Sequence, residues 1–250
     1  MINNDNAEVI AALKKAEKMR IDFVANVSHE LRTPLTSIKG YTETLIEDLN
    51  AGTEIDPGFL QIILKNSNRL LALINDLLDL SAIESGADIL NMDEISIQDL
   101  TDHALKTLQH NAEKKNSQIE TLIECSTLYG DPKRVEQVLT NLADNAIKYG
   151  PSGTKIKIHW YEADFDGHPR IVLEVSDNGP GIAEKYLDRI FERFYRLDKG
   201  RSREMGGTGL GLSIVKHIMQ RHNGTVSVAS SVSTGTVFIC KFPVIVNVQF

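Results

Sequence analysis

The sequence is poor in cysteine, in basic clusters and in long apolar runs. Only two cysteines, Cys125 and Cys240, occur in 250 residues. They lack metal-type spacing and sit in apolar, strand-like stretches, so both read as buried free thiols of a protein from a reducing cytosol. Net charge is −7 and the 27 basic residues are scattered. Phosphate-backbone binding needs a basic patch, so nucleic acid is excluded as the main partner. No apolar run approaches the ~20 residues that span a bilayer, and the opening MINNDNAEVI lacks the basic and apolar regions of a signal peptide. The chain has no membrane span of its own, which leaves room for its being the cytoplasmic part of a longer membrane protein. There are no internal repeats and no low-complexity tract. With 42% apolar and 24% charged residues, the chain reads as one large or two small globular domains.

Residues 7 to 50 form one helical pattern, in which Val24, Val27, Leu31, Leu35, Ile38, Leu45 and Leu49 recur at steps of three, four or seven. NAGTEIDPG, residues 50 to 58, breaks it. A second helix is predicted from about Phe59 to Ile83, and its LLALINDLLDLSAI is apolar over more than one face. Two antiparallel helices cannot cover that surface, so a second copy of the hairpin is expected, giving a dimeric four-helix bundle. After ESGADILNMDE the texture changes. Helix-like IQDLTDHALKTLQHNAEKK, strand-like SQIETLIEC and a turn at YGDPKR precede the helix VEQVLTNLADNAIKY. Strands TKIKIHWYEA and RIVLEVSD follow, then a glycine-rich and charged stretch over 178 to 211. The helix GLSIVKHIMQRH and strands GTVSVASS and GTVFICKFPV close the chain. This order predicts an α+β sandwich, a mixed sheet covered by helices on one face. The expected domains are a linker helix over 1–20, a hairpin domain over 21–88 and the sandwich over 89–250.

Two clusters carry chemistry. At about 100° per residue, the stripe through Val24, Leu31 and Ile38 leaves His29 on the opposite, wet side, with Thr33 one turn on and Glu30 beside them. Pro34 removes a backbone donor and is expected to bend the helix just past them. An imidazole, a carboxylate and a bend make a reactive site, or a solvated face that contains a histidine. HELRT begins like a His-Glu-x-x-His zinc helix, but Thr33 stands where the second ligand would be.

The second cluster is a pocket assembled from three stretches. Asn141 and Asn145 project their amides from one helix face, with Lys148 alongside. Paired amide oxygens suit a hard cation such as Mg²⁺, or merely cap. In SDNGPGI, Asp177 ends a strand, and Gly179 and Gly181 let backbone approach a flat ligand, or simply turn. GGTGLGLSIV sets Gly206, Gly207, Gly209 and Gly211 before a helix, a backbone cradle for phosphate. Its spacing matches neither the dinucleotide fingerprint nor the P-loop. Between them, FERFYRLDKGRSRE is polar and basic, suited to a mobile lid with arginines.

Together these stretches resemble the sensor histidine kinases of two-component systems. FVANVSHELRTPL resembles that family's phosphoacceptor box. NLADNAIKYG, DNGPGI, FERFYR and GGTGLGLSIVKHI resemble its four nucleotide-binding boxes, in the family's order. The resemblance implies the ATP-binding fold shared with gyrases and heat-shock chaperones, with ATP and Mg²⁺ as ligands. It implies that His29 accepts the γ-phosphoryl group and that Glu30 orients it or takes its proton. Thr33 would position water to dephosphorylate the regulator. Asn141 and Asn145 would hold Mg²⁺, Lys148 and Arg196 meet the phosphates, and Tyr149 line the site. Asp177 would bond the adenine amino group beside Gly179 and Gly181. Gly207, Gly209, Leu210 and Gly211 would shape the phosphate loop. The implied partners are a second copy of the chain and the receiver domain of a response regulator, in the cytoplasm. Gly150 departs from the family, which often has Ser or Thr there. A stand-alone ATPase or chaperone of the same nucleotide fold is the competing reading, and the exposed SHELRTP helix speaks against it.

Overall fold

The computed structural model describes residues 2–85, 89–165, 167–198 and 207–244, without the side chains of 2–13, 15, 16 and 19. Two compact units result, Met1–Asn75 and Asp76–Phe250. Among the described residues no helix is long and apolar enough to cross a membrane.

In the first unit, helix α1 (Ile2–Ala51) packs against the start of α2 (Pro57–Ser85). The seam runs through half-buried Val27, Leu31 and Ile38, with Pro34, Leu45 and Leu73 buried. The rings of Tyr41 and Phe59 close it with centroids 5.2 Å apart. The α1 stripe expected from the sequence is thus only partly covered by α2. Val24, Leu35 and Leu49 point away from α2 and stay exposed, as do Leu64 and Leu71 of α2. The apolar stripe is broader than the strip that α2 covers, so part of it stays exposed. The helix runs through Pro34, which lies in the seam. The second helix begins earlier than expected, because Asp56 Oδ1 accepts the Gly58 N–H at 2.7 Å and Pro57 suits a first helical position.

The second unit begins with the last turns of α2. Helix α3 (Ile97–Lys114), β2 (Gln118–Ile123), α4 (Pro132–Tyr149), β4 (Lys155–Phe165) and β5 (His168–Asp177) follow, then α5 (Gly211–Arg221), β6 (Thr225–Ser231) and β7 (Gly235–Pro243). One sheet has the order β2-β4-β5-β7-β6, parallel only between β2 and β4. In β4, buried Ile156, Ile158 and Trp160 alternate with outward Lys155, Lys157 and His159, so one face meets the helices. Trp160 and Phe242 stack against each other in that core, which also holds Leu139, Leu142 and Ile214.

Two short strands escaped the sequence reading, β1 (Asp93–Ser96) and β3 (Thr127–Gly130), which pair antiparallel with Ile95 opposite Leu128. Four residues are too few to show a period. The turn expected at YGDPKR is instead the end of β3 and the cap of α4. Asp131 Oδ1 accepts the Arg134 N–H at 3.0 Å and Pro132 opens the helix. Cys240 is buried in β7, as read, but Cys125 lies beyond the end of β2 and is only half-buried. Burial pushes both thiols above the ordinary range, Cys240 by far the more.

Candidate functional site

On α1, His29 and Thr33 are exposed, as the sequence predicts, and the Thr33 hydroxyl donates to the His29 carbonyl at 3.1 Å. Glu30 is not on the wet side. One residue beyond His29 is a rotation of about 100°, which carries Glu30 into the seam near Val27 and Pro34. There its Oε2 receives Arg69 Nη2 of α2 at 2.7 Å, with the two side chains only 12% and 10% exposed. Nothing in the α1 sequence announces Arg69, since its relation to Glu30 depends on how the hairpin closes.

The second unit brings the remaining predicted residues around one end of its sheet. Asp177 ends β5 between Ile156 of β4 and Thr236 of β7. Its Oδ1 accepts the Gly179 N–H at 2.7 Å. Burial raises the Asp177 pKa above the usual carboxylate value, and backbone N–H groups of Gly179 and Thr236 offset part of that rise. The following loop is anchored to the β6–β7 hairpin. The Ile182 N–H donates to Ser230 Oγ at 2.8 Å, and the Ser233 N–H to the Pro180 carbonyl at 2.8 Å. Gly181 has φ +69°, and a Cβ there would lie 1.9 Å from the Ser231 carbonyl oxygen, so no other residue fits. Ser230 and Thr236 belong to the site's frame, and only the sheet topology reveals them.

From α4, Asn141 and Asn145 are half-buried and Tyr149 is exposed. Asn141 Nδ2 is buried and makes no hydrogen bond among the described residues. The Asn141 amide faces the start of α5, its Oδ1 lying 3.6 Å from where a Cβ on Gly211 would be. Lys148 Nζ is held by Asp144 Oδ2 at 2.6 Å. Gly150 ends α4 where a Cβ would come 2.2 Å from Thr154 Oγ1 and 2.8 Å from the Ala146 carbonyl oxygen. That crowding explains glycine at a position where the resembling family often has Ser or Thr.

Arg196 Nη2 donates to the Gly207 carbonyl at 2.6 Å, and the Phe194 N–H to the Gly209 carbonyl at 2.8 Å. These bonds tie FERFYR to the glycine-rich loop. Phe194 has φ +61°, a backbone setting costly for an aromatic residue and common at working sites. Gly209 has φ +78°, with Arg196 Nε only 3.0 Å from a Cβ there. Leu210 is fully buried beneath the loop. The Thr208 hydroxyl donates to Asp76 Oδ2 at 2.6 Å. Within the same unit, Glu84 pairs with Arg193 at 2.5 Å and with His217 at 3.0 Å. Gly206 and residues 199–204 of the expected lid lie outside the described residues.

An orphaned amide donor on a helix face, a recessed carboxylate at a strand end and a glycine-rich helix start are groups that a nucleotide can use. Residues 19–86 match the model of the His Kinase A (phospho-acceptor) domain, and residues 130–245 that of the Histidine kinase-, DNA gyrase B-, and HSP90-like ATPase. The chain belongs to the sensor histidine kinase family. Its second matched domain is an ATP-binding fold, and the helical hairpin followed by a helix-covered mixed sheet is that of histidine kinases. The sensor protein kinase WalK of Staphylococcus aureus is 37% identical over 232 residues, which cover 92% of this chain and 55% of WalK. In strain Newman the same match covers 38% of WalK, so the chain spans about half or less of these curated relatives. Among solved structures, the Acinetobacter baumannii histidine kinase AdeS is 28% identical with a TM-score of 0.70, covering 87% of this chain and 98% of that one. The histidine kinase ThkA in complex with response regulator protein TrrA is 26% identical with a TM-score of 0.69, covering 92% of this chain and 63% of that one.

Proposed function

We propose that this histidine kinase core transfers the γ-phosphoryl group of ATP to His29 and then to an aspartate of a response-regulator receiver domain. The observation that carries the reading is the exposed His29, on a helix of the matched phospho-acceptor region, in one chain with the pocket around Asp177. The ThkA–TrrA complex supports the choice of partner. One ring nitrogen of His29 attacks the γ-phosphorus while the bond to the β–γ bridging oxygen breaks and ADP leaves. The proton on the other ring nitrogen is stabilised by, or passes to, the Glu30 carboxylate. Phosphoryl transfer asks little covalent help of the protein, so positioning and charge neutralisation dominate.

Asn141 and Asn145 would hold Mg²⁺ through their amide oxygens, and the unsatisfied Asn141 Nδ2, a donor, would meet a phosphate oxygen beside it. Lys148 and Arg196 would neutralise phosphate, Lys148 exchanging Asp144 for it. Tyr149 would flank the nucleotide, and Asp177 would accept from the adenine amino group with Gly179 and Gly181 beside it. Gly207, Gly209, Gly211 and the Leu210 backbone would follow the phosphates. Thr33 would hold water against the phosphorylated regulator. The working protein is a homodimer in the cytoplasm, the cytoplasmic part of a membrane sensor being one form of it. Its domains are the linker helix 1–20, the hairpin 21–88 and the nucleotide domain 89–250. The test is a chase: chain labelled from γ-labelled ATP is mixed with a receiver domain of the organism. Label should move to the receiver and fail to move to a receiver whose acceptor aspartate is alanine. Label that stays on the chain with every receiver of that organism would refute the relay.

A further inference from the structure

Polar side chains interrupt the seam between α1 and α2 at and beyond the turn of His29. There Glu30 meets Arg69 at 2.7 Å, and Asn66 Nδ2 donates to Ser37 Oγ at 3.3 Å and to the Ile62 carbonyl at 2.9 Å. Pro34, between these two polar rungs in sequence, is buried. A buried ion pair rarely repays its desolvation, so it is a weak device for stability alone. Its position beside the phosphoacceptor suggests another use. We infer that Arg69 is the positioning residue for Glu30, which makes α2 part of the autophosphorylation site.

Three features carry this. A carboxylate this far removed from water is costly without a countercharge. Arg69 supplies that countercharge. A charge-assisted bond at 2.7 Å also fixes the carboxylate in place. Pro34 has no N–H to donate to the Glu30 carbonyl, so the turn that carries Glu30 lacks one of its own backbone ties. The contact from α2 supplies a tie from outside. Because the pair bridges two helices, any shift of α1 along α2 moves the carboxylate relative to His29. Hairpin packing therefore sets the competence of the histidine. Lys65 and Arg32, the nearest charged neighbours in sequence, are exposed and do not share the seam.

The inference rests on His29 as acceptor and Glu30 as its partner, and the experiment separates the two. Initial labelling rates from γ-labelled ATP are compared for the native chain, Arg69→Gln, Arg69→Lys, Glu30→Gln, the double variant Glu30→Gln/Arg69→Gln, and His29→Ala. Melting curves establish that each is folded at the assay temperature. Arg69→Gln should lose about tenfold or more, as misplaced catalytic groups do, and Arg69→Lys should stay within about threefold of native because it keeps the charge. On the Glu30→Gln background, Arg69→Gln should cost less than about twofold, the signature of residues that act through each other. The double variant buries no lone charge, so that half of the cycle is readable even if Arg69→Gln alone unfolds. An equal loss on both backgrounds, or a native or faster rate in Arg69→Gln, would overturn the inference. Label that persists in His29→Ala would instead remove the acceptor assignment beneath it.

Discussion

The Gly179 N–H donates to Asp177 Oδ1 at 2.7 Å, and a Cβ on Gly179 would come within 2.7 Å of that same oxygen. The glycine thus holds the carboxylate, and a side chain there would have to push that carboxylate aside. Asp177→Ala should weaken ATP binding at least tenfold, since a hydrogen bond to a charged group is worth about 1.5–3 kcal/mol. Gly179→Ala should weaken it in the same direction by turning the carboxylate aside. Calorimetry that returned the native Kd for both variants would remove Asp177 from the adenine site.

The first unit leaves Val24, Leu35, Leu49, Leu64 and Leu71 more than half exposed. A second hairpin is the covering that the proposed dimer supplies, so the chain should sediment as a dimer. Replacing Leu64 and Leu71 by Glu should shift it toward monomer, because burying a lone carboxylate in an apolar seam costs several kcal/mol. A native chain that sediments as a monomer at micromolar concentration would contradict the bundle.

How far the sequence speaks depends on how local each feature is. The exposure of His29, the strand-end place of Asp177 and the helical setting of Asn141 and Asn145 were legible because each lies in a short contiguous stretch whose polar residues interrupt an apolar pattern. The five-stranded sheet was legible because β4 and β5 are long enough to alternate. Glu30 was misplaced because the stripe was drawn through apolar residues only, and a charged seam residue is invisible to that method. Arg69 stands on another helix, and Ser230 on a strand that meets the Asp177 loop only after the sheet forms. Both required the fold. Strands β1 and β3 failed on length alone.

The thiols offer a pH-dependent check. The thiolate is the reactive form, and burial disfavours it at both cysteines. Folded protein near pH 8 should therefore react with a thiol reagent through Cys125 alone, more slowly than a free cysteine and faster as pH rises. Cys240 should react only on unfolding, its thiol being pushed far above the ordinary range in the core. Two equivalents reacting rapidly in the folded protein would contradict the packing of β7.

Thr33 and Glu30 flank His29 with different chemistry. A hydroxyl cannot act as a base near neutral pH, but once it leaves the His29 carbonyl it can hold a water in line with an aspartyl phosphate. Thr33→Ala should keep most autophosphorylation and lose about tenfold or more of regulator dephosphorylation, within the range that positioning supplies. Glu30→Gln should show the reverse preference, with autophosphorylation falling by about 10²-fold or more. Equal losses of both activities in Thr33→Ala would make Thr33 a structural residue of its helical turn.

The central claim is that the phosphoryl group is carried on His29. The most direct measurement is incubation of the chain with γ-labelled ATP and Mg²⁺, followed by acid and base treatment and by the same reaction with His29→Ala. The label should be lost in acid, survive base as a phosphoramidate does, and be absent from His29→Ala while ATP still binds that variant with native affinity. Label that survives acid, or that remains on His29→Ala, would contradict it.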